Sequence, residues 1–174
     1  MIWGCFLFYP FFYQIGIWSL VMPLEAQDLS AAASFGCIGL FLSGWILTRG
    51  ANLQKHAFRT NPKADTFNFL FITVKQRTLA RSGAGSKILV SGWWGLSRHS
   101  NYLGEIIQGV ALALPGLMHS NYSNLLPLLY PLYYVILFVP RQMDDDLVCE
   151  GKYGAVLWNQ YKQVVKYRIC PWIW

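Results

Sequence analysis

The sequence predicts an all-α membrane protein, a polytopic transmembrane helical bundle of about four spanning helices with cytoplasmic loop and tail regions. Two observations predict this class. Hydrophobic residues make up 55% of the 174 positions, and charged residues only 13%, against about 25% in a typical soluble domain. The apolar residues also fall into four runs, each of roughly the length that crosses a bilayer.

The basic residues divide the chain into alternating regions. All fourteen Lys and Arg lie within residues 49–98 and 141–168. We expect a single membrane domain over 1–174, with pairs of spanning helices in 1–48 and 99–140. Basic loops stay in the cytoplasm, which assigns a side to the two regions between and after these pairs. The segments 49–98 and 141–174 are then a cytoplasmic basic region and a cytoplasmic tail. This distribution favours anionic lipid headgroups or a phosphorylated cofactor over nucleic acid as the partner of the net +6 charge.

The predicted spans are residues 3–21, 31–48, 101–118 and 123–139. The second is rich in Ala, Gly and Ser, which allow close helix packing. Prolines in the first and fourth spans predict kinks. Each pair returns to the same side of the membrane.

The first basic region contains two cations four residues apart, Lys55 and Arg59. They share one face if the second helix continues past its span, and Asn61-Pro62 would end that helix. Such a pair repels unless an anion lies between the charges; a solvated charge cluster is the alternative interpretation. Residues 66–74 are apolar but too short to span, which predicts a buried or interfacial segment. Residues 82–86 (SGAGS) predict a flexible turn.

The densest polar stretch is residues 92–105, GWWGLSRHSNYLGE. It lies where the basic region meets the third span. An interfacial belt of Trp, Tyr and a snorkelling Arg98 explains part of it. It does not explain Asn101 and Glu105, which lie one helical turn apart on one face. Ionisable groups at membrane depth indicate a functional site.

Neither a disulfide framework nor a metal site is predicted. The four Cys show no paired spacing, the three His are far apart, and the adjacent carboxylates of residues 144–146 cannot converge from one helix.

Five ordered motifs over roughly residues 50–174 resemble the sterol reductase family. The closest branch is the Δ14-sterol reductases, with the similar C-terminal domain of the lamin B receptor. The motifs are residues 55–62 (KHAFRTNP), 89–95 (LVSGWWG), 98–105 (RHSNYLGE), 141–154 (RQMDDDLVCEGKYG) and 167–171 (YRICP). The resemblance implies the C-terminal half of such a protein.

The resemblance further implies NADPH-dependent reduction of a sterol ring double bond, most directly Δ14, in sterol biosynthesis, with 49–98 as a cofactor-binding loop. The cofactor-binding positions carried over by matching motifs are Lys55, Arg59, Leu89, Trp94, Asn101, Tyr102, Asp145, Cys149, Lys152, Tyr153 and Tyr161.

The residue types suit these roles. Lys55, Arg59 and Lys152 can bind phosphates. Aromatic rings at 94, 102 and 153 offer flat faces, and Asn101 and Asp145 can hydrogen-bond ribose or carboxamide. Asp144 replaces the family's usual Arg, which would place three carboxylates near a phosphorylated cofactor and weaken its binding.

Reduction of an isolated double bond needs a proton on one carbon and a hydride on its neighbour. Glu105 and Tyr102 are the candidate proton relay, because a buried carboxyl with a raised pKa can act as an acid.

Two alternatives share some of these features. One is an isoprenylcysteine carboxyl methyltransferase, which uses S-adenosylmethionine in a related membrane fold. The other is a non-catalytic, lamin B receptor-like scaffold. For the reductase, the partners expected are a sterol and membrane lipids, without nucleic acid. The endoplasmic reticulum membrane is the expected location, with the inner nuclear membrane as the alternative.

Overall fold

The computed structural model describes residues 10, 11, 14, 15, 28–80 and 87–173. The first predicted span and the 82–86 turn therefore lie almost wholly outside the described residues. The described part is mostly helical, as predicted, with two small hairpins that were not predicted. It separates into two compact units: residues 1–45 with 105–137, and residues 46–104 with 138–174.

The longest element is helix α1, Ala31–Thr60. It continues twelve residues beyond the predicted span and ends directly before Asn61-Pro62, as the sequence predicted. The last turn closes by a hydrogen bond from the Asn61 amide to the Ala57 carbonyl (2.8 Å). Pro62 disfavours helical geometry at the residue before it. Lys55 and Arg59 consequently lie one turn apart on the same helix.

Within the described residues, α1 alone is long and apolar enough to cross a membrane. The apolar side chains Phe35, Ile38 and Leu42 are 72%, 54% and 49% exposed. Large apolar groups that have no protein cover are suited to lipid contact. The other three spans stay predictions.

Two antiparallel hairpins follow α1. Strand β1 (Thr66–Phe69) pairs with β2 (Ile72–Lys75), and β3 (Thr78–Ala80) pairs with β4 (Lys87–Leu89). The predicted buried or interfacial segment 66–74 is thus a hairpin. Its Thr, Phe, Ile and Val content favours strands.

A four-residue helix, α2 (Trp93–Leu96), joins the hairpins to α3 (Ser100–His119). Gly92 precedes α2 with φ of +63°, and an added Cβ would lie 2.6 Å from Val74. Both facts require glycine at this position. Helix α3 matches the predicted segment 101–118 within one residue at each end.

The last helices are α4 (Leu129–Tyr153) and α5 (Ala155–Val164). A 3₁₀ turn, Leu126–Leu128, precedes α4. The predicted segment 123–139 is therefore only the first part of a longer helix, and the tail predicted after it begins as helix. Gly154, with φ of +82°, separates α4 from α5.

The first unit has a core of small and aromatic residues from α3 and α4. Ala111, Ala113 and Leu117 are buried, as are Tyr130 and Tyr134. The two tyrosine hydroxyls are hydrogen-bonded at 2.9 Å. Gly109 allows close approach, because a Cβ there would lie 3.1 Å from Tyr134 and 3.3 Å from Pro131.

The second unit has two apolar clusters. One contains Ile88, Leu157, Trp158, Tyr161 and Val165, and fixes α5 on β4. The other packs the segment 89–94 and the first hairpin on α1, through Ala51, Leu89, Trp93 and Trp94 with Phe67, Phe69 and Val74 at its edge. These clusters hold the elements that carry the predicted cofactor residues.

Candidate functional site

The buried Gln54 side chain anchors the Trp-Trp turn to α1. Its Nε2 donates to the Ser91 carbonyl at 3.1 Å, and its Oε1 accepts from the Trp93 amide at 3.2 Å. The Trp94 indole N–H donates to the Ala51 carbonyl at 2.7 Å. Because both polar atoms of the Gln54 amide are hydrogen-bonded, burying this side chain leaves no unpaired polar group. Trp94 is held beside the end of α1 that carries Lys55 and Arg59.

A cavity of about 610 Å³ opens inside the second unit. All eleven residues that the resemblance marked as cofactor-binding line it. They come from α1 (Lys55, Arg59), β4 (Leu89), α2 (Trp94), the start of α3 (Asn101, Tyr102), α4 (Asp145, Cys149, Lys152, Tyr153) and α5 (Tyr161). The four from α4 follow a spacing of four, three and one, which places them on one helix face.

The charge of the lining is strongly positive. Among the described residues, five cations line the cavity: Lys55, Arg59, Lys87, Arg98 and Lys152. The one carboxylate in the described lining is Asp145. Neighbouring cations in a partly enclosed space repel one another, and an anionic ligand removes that repulsion. The cavity is therefore suited to a phosphorylated molecule.

Aromatic rings form much of the wall. The Lys55 ammonium lies 4.4 Å from the centre of the Trp94 ring, and that of Lys152 lies 5.1 Å from the Tyr153 ring. Trp158 stacks on Tyr161 with centroids 4.9 Å apart. The two lysine contacts hold the cations in place by cation–π attraction, and the stacked rings give the cavity an aromatic wall.

Tyr102 is held on both faces and at its hydroxyl. Its ring stacks between His99 (5.0 Å) and Phe138 (4.3 Å). Its hydroxyl donates a hydrogen bond to Asp145 Oδ2 at 2.5 Å. Two residues that the resemblance implies as cofactor contacts are thus hydrogen-bonded to each other, which fixes the phenol at the cavity wall.

Asp146, the next carboxylate, turns away from this bond to an ion cluster behind the wall. Its oxygens lie 3.5 Å from Arg98 Nη2, 3.8 Å from His99 Nε2 and 3.9 Å from Arg168 Nε. Burial alone would raise the pKa of the Asp146 carboxyl. The polar contact with His99 and the charges of Arg98 and Arg168 outweigh burial and hold that pKa below its usual range.

The last segment of the described chain completes this cluster. The amides of Arg98 and His99 donate to the carbonyls of Tyr167 and Arg168 at 3.0 and 2.8 Å. Residues 98 and 99 are therefore fixed through the backbone by the C-terminal segment and through their side chains by Asp146.

Two further lining groups have altered acidity. Burial raises the pKa of the Cys149 thiol, opposed by the nearby Lys55. Burial also raises the pKa of the Tyr161 hydroxyl. Both groups are therefore neutral at pH 7, so neither adds negative charge to an anion-binding cavity.

Several lining residues were not predicted as site residues: Phe58, Pro62, Lys87, Ile88, Arg98, His99, Val148 and Trp158. Arg98 and His99 stood inside a quoted motif, and Trp158 precedes Tyr161 by one helical turn. These positions in the sequence were the signal from which the three residues could have been predicted to line the site. Asp144 is exposed, and of the three adjacent aspartates only Asp145 is in the lining; that all three carboxylates weaken ligand binding stays a prediction. Consecutive helical residues point in directions about 100° apart.

Glu105 lies one turn beyond Asn101 on α3, in the other compact unit, and is not among the cavity's lining residues. Its role as an acid stays a prediction. The same holds for Tyr102, although that residue does line the cavity.

Comparison with known proteins identifies the family. The chain matches the model of the ergosterol biosynthesis ERG4/ERG24 family over residues 1–174. It is 34% identical to a Δ14-sterol reductase of Arabidopsis thaliana, covering 100% of this chain and 42% of the relative. It is 33% identical to one from Methylotuvimicrobium alcaliphilum (99% and 37%) and 36% identical to one from Mus musculus (100% and 38%). The chain thus spans about two-fifths of the length of these relatives, and it belongs to the ERG4/ERG24 family of sterol reductases.

Proposed function

We propose that this chain forms the cofactor-binding part of an NADPH-dependent sterol reductase that reduces the Δ14 double bond. The names of the relatives support the reaction. The observation that supports the cofactor assignment is that all eleven residues implied by the resemblance line one cationic, aromatic-walled cavity.

The properties of the cavity fit a dinucleotide phosphate. Its volume of about 610 Å³ lies within the range of roughly 300–1,000 Å³ usual for ligand sites. The amide oxygen of Asn101 is buried and has no hydrogen-bond partner among the described residues. A buried acceptor without a partner costs free energy that a polar ligand, after a small rotation of the amide, can recover.

The residues divide by chemistry. Lys55, Arg59 and Lys152 would hold phosphates, and Arg59 can do so with two parallel hydrogen bonds. Trp94 and Tyr153 would lie against rings. When bound, the cofactor supplies the hydride; the chain orients it and excludes water.

Proton delivery is the remaining requirement. We assign Tyr102 and Glu105 to it, as a relay on one face of α3. The Tyr102 hydroxyl donates a hydrogen bond to the Asp145 carboxylate, which fixes the position of the phenol; because that carboxylate only accepts, the proton that Tyr102 gives up would be replaced from solvent. Loss of sterol reduction in Glu105→Gln with NADPH affinity kept, and a loss in Tyr102→Phe at saturating NADPH, is the result that supports the relay; full activity of both variants would contradict it.

The membrane arrangement follows the same proposal. Nine of the eleven predicted positions come from the two basic regions, 49–98 and 141–174. Their shared cavity supports placing both regions on one side of the membrane, the cytoplasmic side of the endoplasmic reticulum. The four-span domain arrangement, the sterol partner and contact with membrane lipids belong to this proposal.

The test is NADPH binding by the chain purified in detergent, measured by calorimetry. We expect Arg59→Ala and Trp94→Ala each to weaken binding by tenfold or more, the equivalent of about 1.4 kcal/mol. Lys166→Ala, which removes an exposed cation outside the cavity, is the matched control and should bind as the unmodified chain does. Unchanged NADPH affinity in both cavity variants would contradict the cofactor assignment. Binding of S-adenosylmethionine in place of NADPH would favour the methyltransferase.

The reaction itself is tested separately. Microsomes that contain the full-length protein are incubated with Δ14, Δ7 and Δ24(28) sterols and NADPH, and the products are resolved by mass. Reduction of the Δ14 substrate alone is the expected result. Reduction of only another substrate would contradict the Δ14 assignment while leaving the cofactor proposal intact.

A further inference from the structure

The tip of the first hairpin exposes three large apolar side chains. Leu70, Phe71 and Ile72 are 57%, 102% and 44% exposed. No charged residue occurs between positions 66 and 74. Single exposed apolar residues are ordinary, but three adjacent ones at the end of a protruding hairpin indicate a contact surface.

The local conformation does not explain these residues. Phe69 pairs with Ile72, so Leu70 and Phe71 form a two-residue turn. Leu70 has φ of +53°, a region that favours Gly, Asn or Asp and disfavours a branched side chain. Leu70 and Phe71 are thus residue types that this turn conformation disfavours. We infer that these two apolar side chains serve a contact outside the hairpin.

The hairpin folds back along α1. Its open end lies beside the helix end, where the Gln76 amide donates to the Asp65 carbonyl at 2.7 Å and Gln76 Nε2 donates to the Ala64 carbonyl at 3.1 Å. From there the strands run back along the helix towards earlier residues.

The level reached by the tip can be located on α1. The Phe67 and Phe69 rings lie 6.0 and 5.9 Å from that of Trp93, and the Trp93 indole packs directly over Gly50. Gly50 follows Arg49, the first charged residue after the apolar stretch 31–48. Strand β1 therefore lies near the apolar-to-charged boundary of the helix, and Leu70 and Phe71 follow its last residue in the turn.

We propose that the 70–72 tip inserts into the lipid bilayer beside α1, at the depth of the headgroup boundary. The occupant of this surface is lipid because the apolar tip follows a strand that lies near Gly50, next to Arg49, where the apolar stretch 31–48 of α1 ends. Aromatic and aliphatic side chains without charge are the residues that partition at this depth. The insertion would hold the cavity-bearing unit against the membrane. The proposal depends on α1 crossing the bilayer and not on the cofactor assignment.

The experiment is photocrosslinking in phosphatidylcholine vesicles. Phe71 is replaced by photoreactive benzoylphenylalanine, and the adducts are identified by mass after illumination. The same replacement at Phe35, which is 72% exposed on α1, is the lipid-facing reference. Lys63, exposed near the open end of the hairpin, is the water-facing reference.

Lipid adducts at position 71 that match those at 35 and exceed those at 63 several-fold are expected. Adducts to protein alone, or a yield equal to that at position 63, would overturn the proposal, because the tip would then be covered by another chain segment or by water. Absence of lipid adducts at position 35 would also overturn the proposal, because it would show that α1 does not cross the bilayer. NADPH binding by the same samples should be unchanged, so failure here is separable from failure of the cofactor assignment.

Discussion

Three consecutive aspartates have three different environments. Asp144 is exposed, Asp145 accepts a hydrogen bond from the Tyr102 hydroxyl, and Asp146 forms an ion pair with Arg98. Rotation of about 100° per helical residue separates them. The sequence could indicate Asp145 only through its resemblance to a family. Nothing in the pattern could indicate Asp146, because its partners are distant in the chain.

Asp146→Asn is expected to destabilise the fold at pH 7. It leaves the Arg98 side chain, which is 5% exposed, without a carboxylate partner. Breaking a fully buried pair costs about 3–5 kcal/mol, and we expect the lower end because the Asp146 side chain is 15% exposed. Thermal unfolding in detergent measures the loss. The exposed neighbour gives the matched control: Asp144→Asn should change stability by no more than about 0.5 kcal/mol.

The same residue predicts a pH dependence. The folded state holds the pKa of Asp146 below its usual value, so the ionised carboxylate stabilises the fold. That contribution is complete above an unfolded pKa of about 3.9 and is lost as pH falls through the lower folded pKa. Below about pH 4, the stability of the unmodified chain should therefore approach that of Asp146→Asn. A constant difference between the two down to pH 2 would contradict this.

At the scale of elements, the helices were the predictable part. Helix α3 was located within a residue, and the end of α1 followed from Asn61-Pro62. The hairpins were missed for a physical reason: the β1–β2 turn has Leu-Phe where hairpin turns usually carry Asn or Gly. Strands of three or four residues also leave too little alternation to recognise.

The packing of α1 on α2 gives a prediction for Gly50→Ala. An added Cβ would lie 2.5 Å from the Cε2 and Cζ2 atoms of Trp93, a stiff, buried ring. Overpacking of this kind costs about 1–3 kcal/mol, more than the gain of about 1 kcal/mol from replacing Gly by Ala in a helix. Gly39→Ala, on the same helix with nothing within 4 Å, is the control and should be neutral or stabilising. Equal unfolding temperatures for the two variants would show that the ring moves aside freely.

At the scale of the whole molecule, the net charge of +6 and the cationic cavity act together on a charged ligand. NADPH affinity should therefore fall as salt rises, because the screening length shrinks from about 10 Å at 0.1 M to about 3 Å at 1 M. NADH, which lacks the 2′-phosphate, should show a smaller dependence. Calorimetric titrations of both nucleotides at the two ionic strengths test this; identical slopes would place the 2′-phosphate outside the cationic part of the cavity.

The mostly helical class was predictable at this scale, because composition and long apolar runs extend along the whole sequence; the membrane topology stays a prediction. The shape of the cavity was not. It depends on how Gln54 and Gly92 dock the Trp-Trp turn on α1 and on Asp146 behind the wall, and these contacts join residues far apart in the chain.

The junction between residues 98–99 and 167–168 consists of two consecutive backbone hydrogen bonds. Main-chain donors and acceptors are the same whatever the side chain, so substitutions at Tyr167 should leave this junction in place. Inserting or deleting one residue between α5 and position 167 would instead shift the register and pair each amide with the wrong carbonyl. The length of this segment should therefore matter to the junction more than the identity of the side chain at position 167.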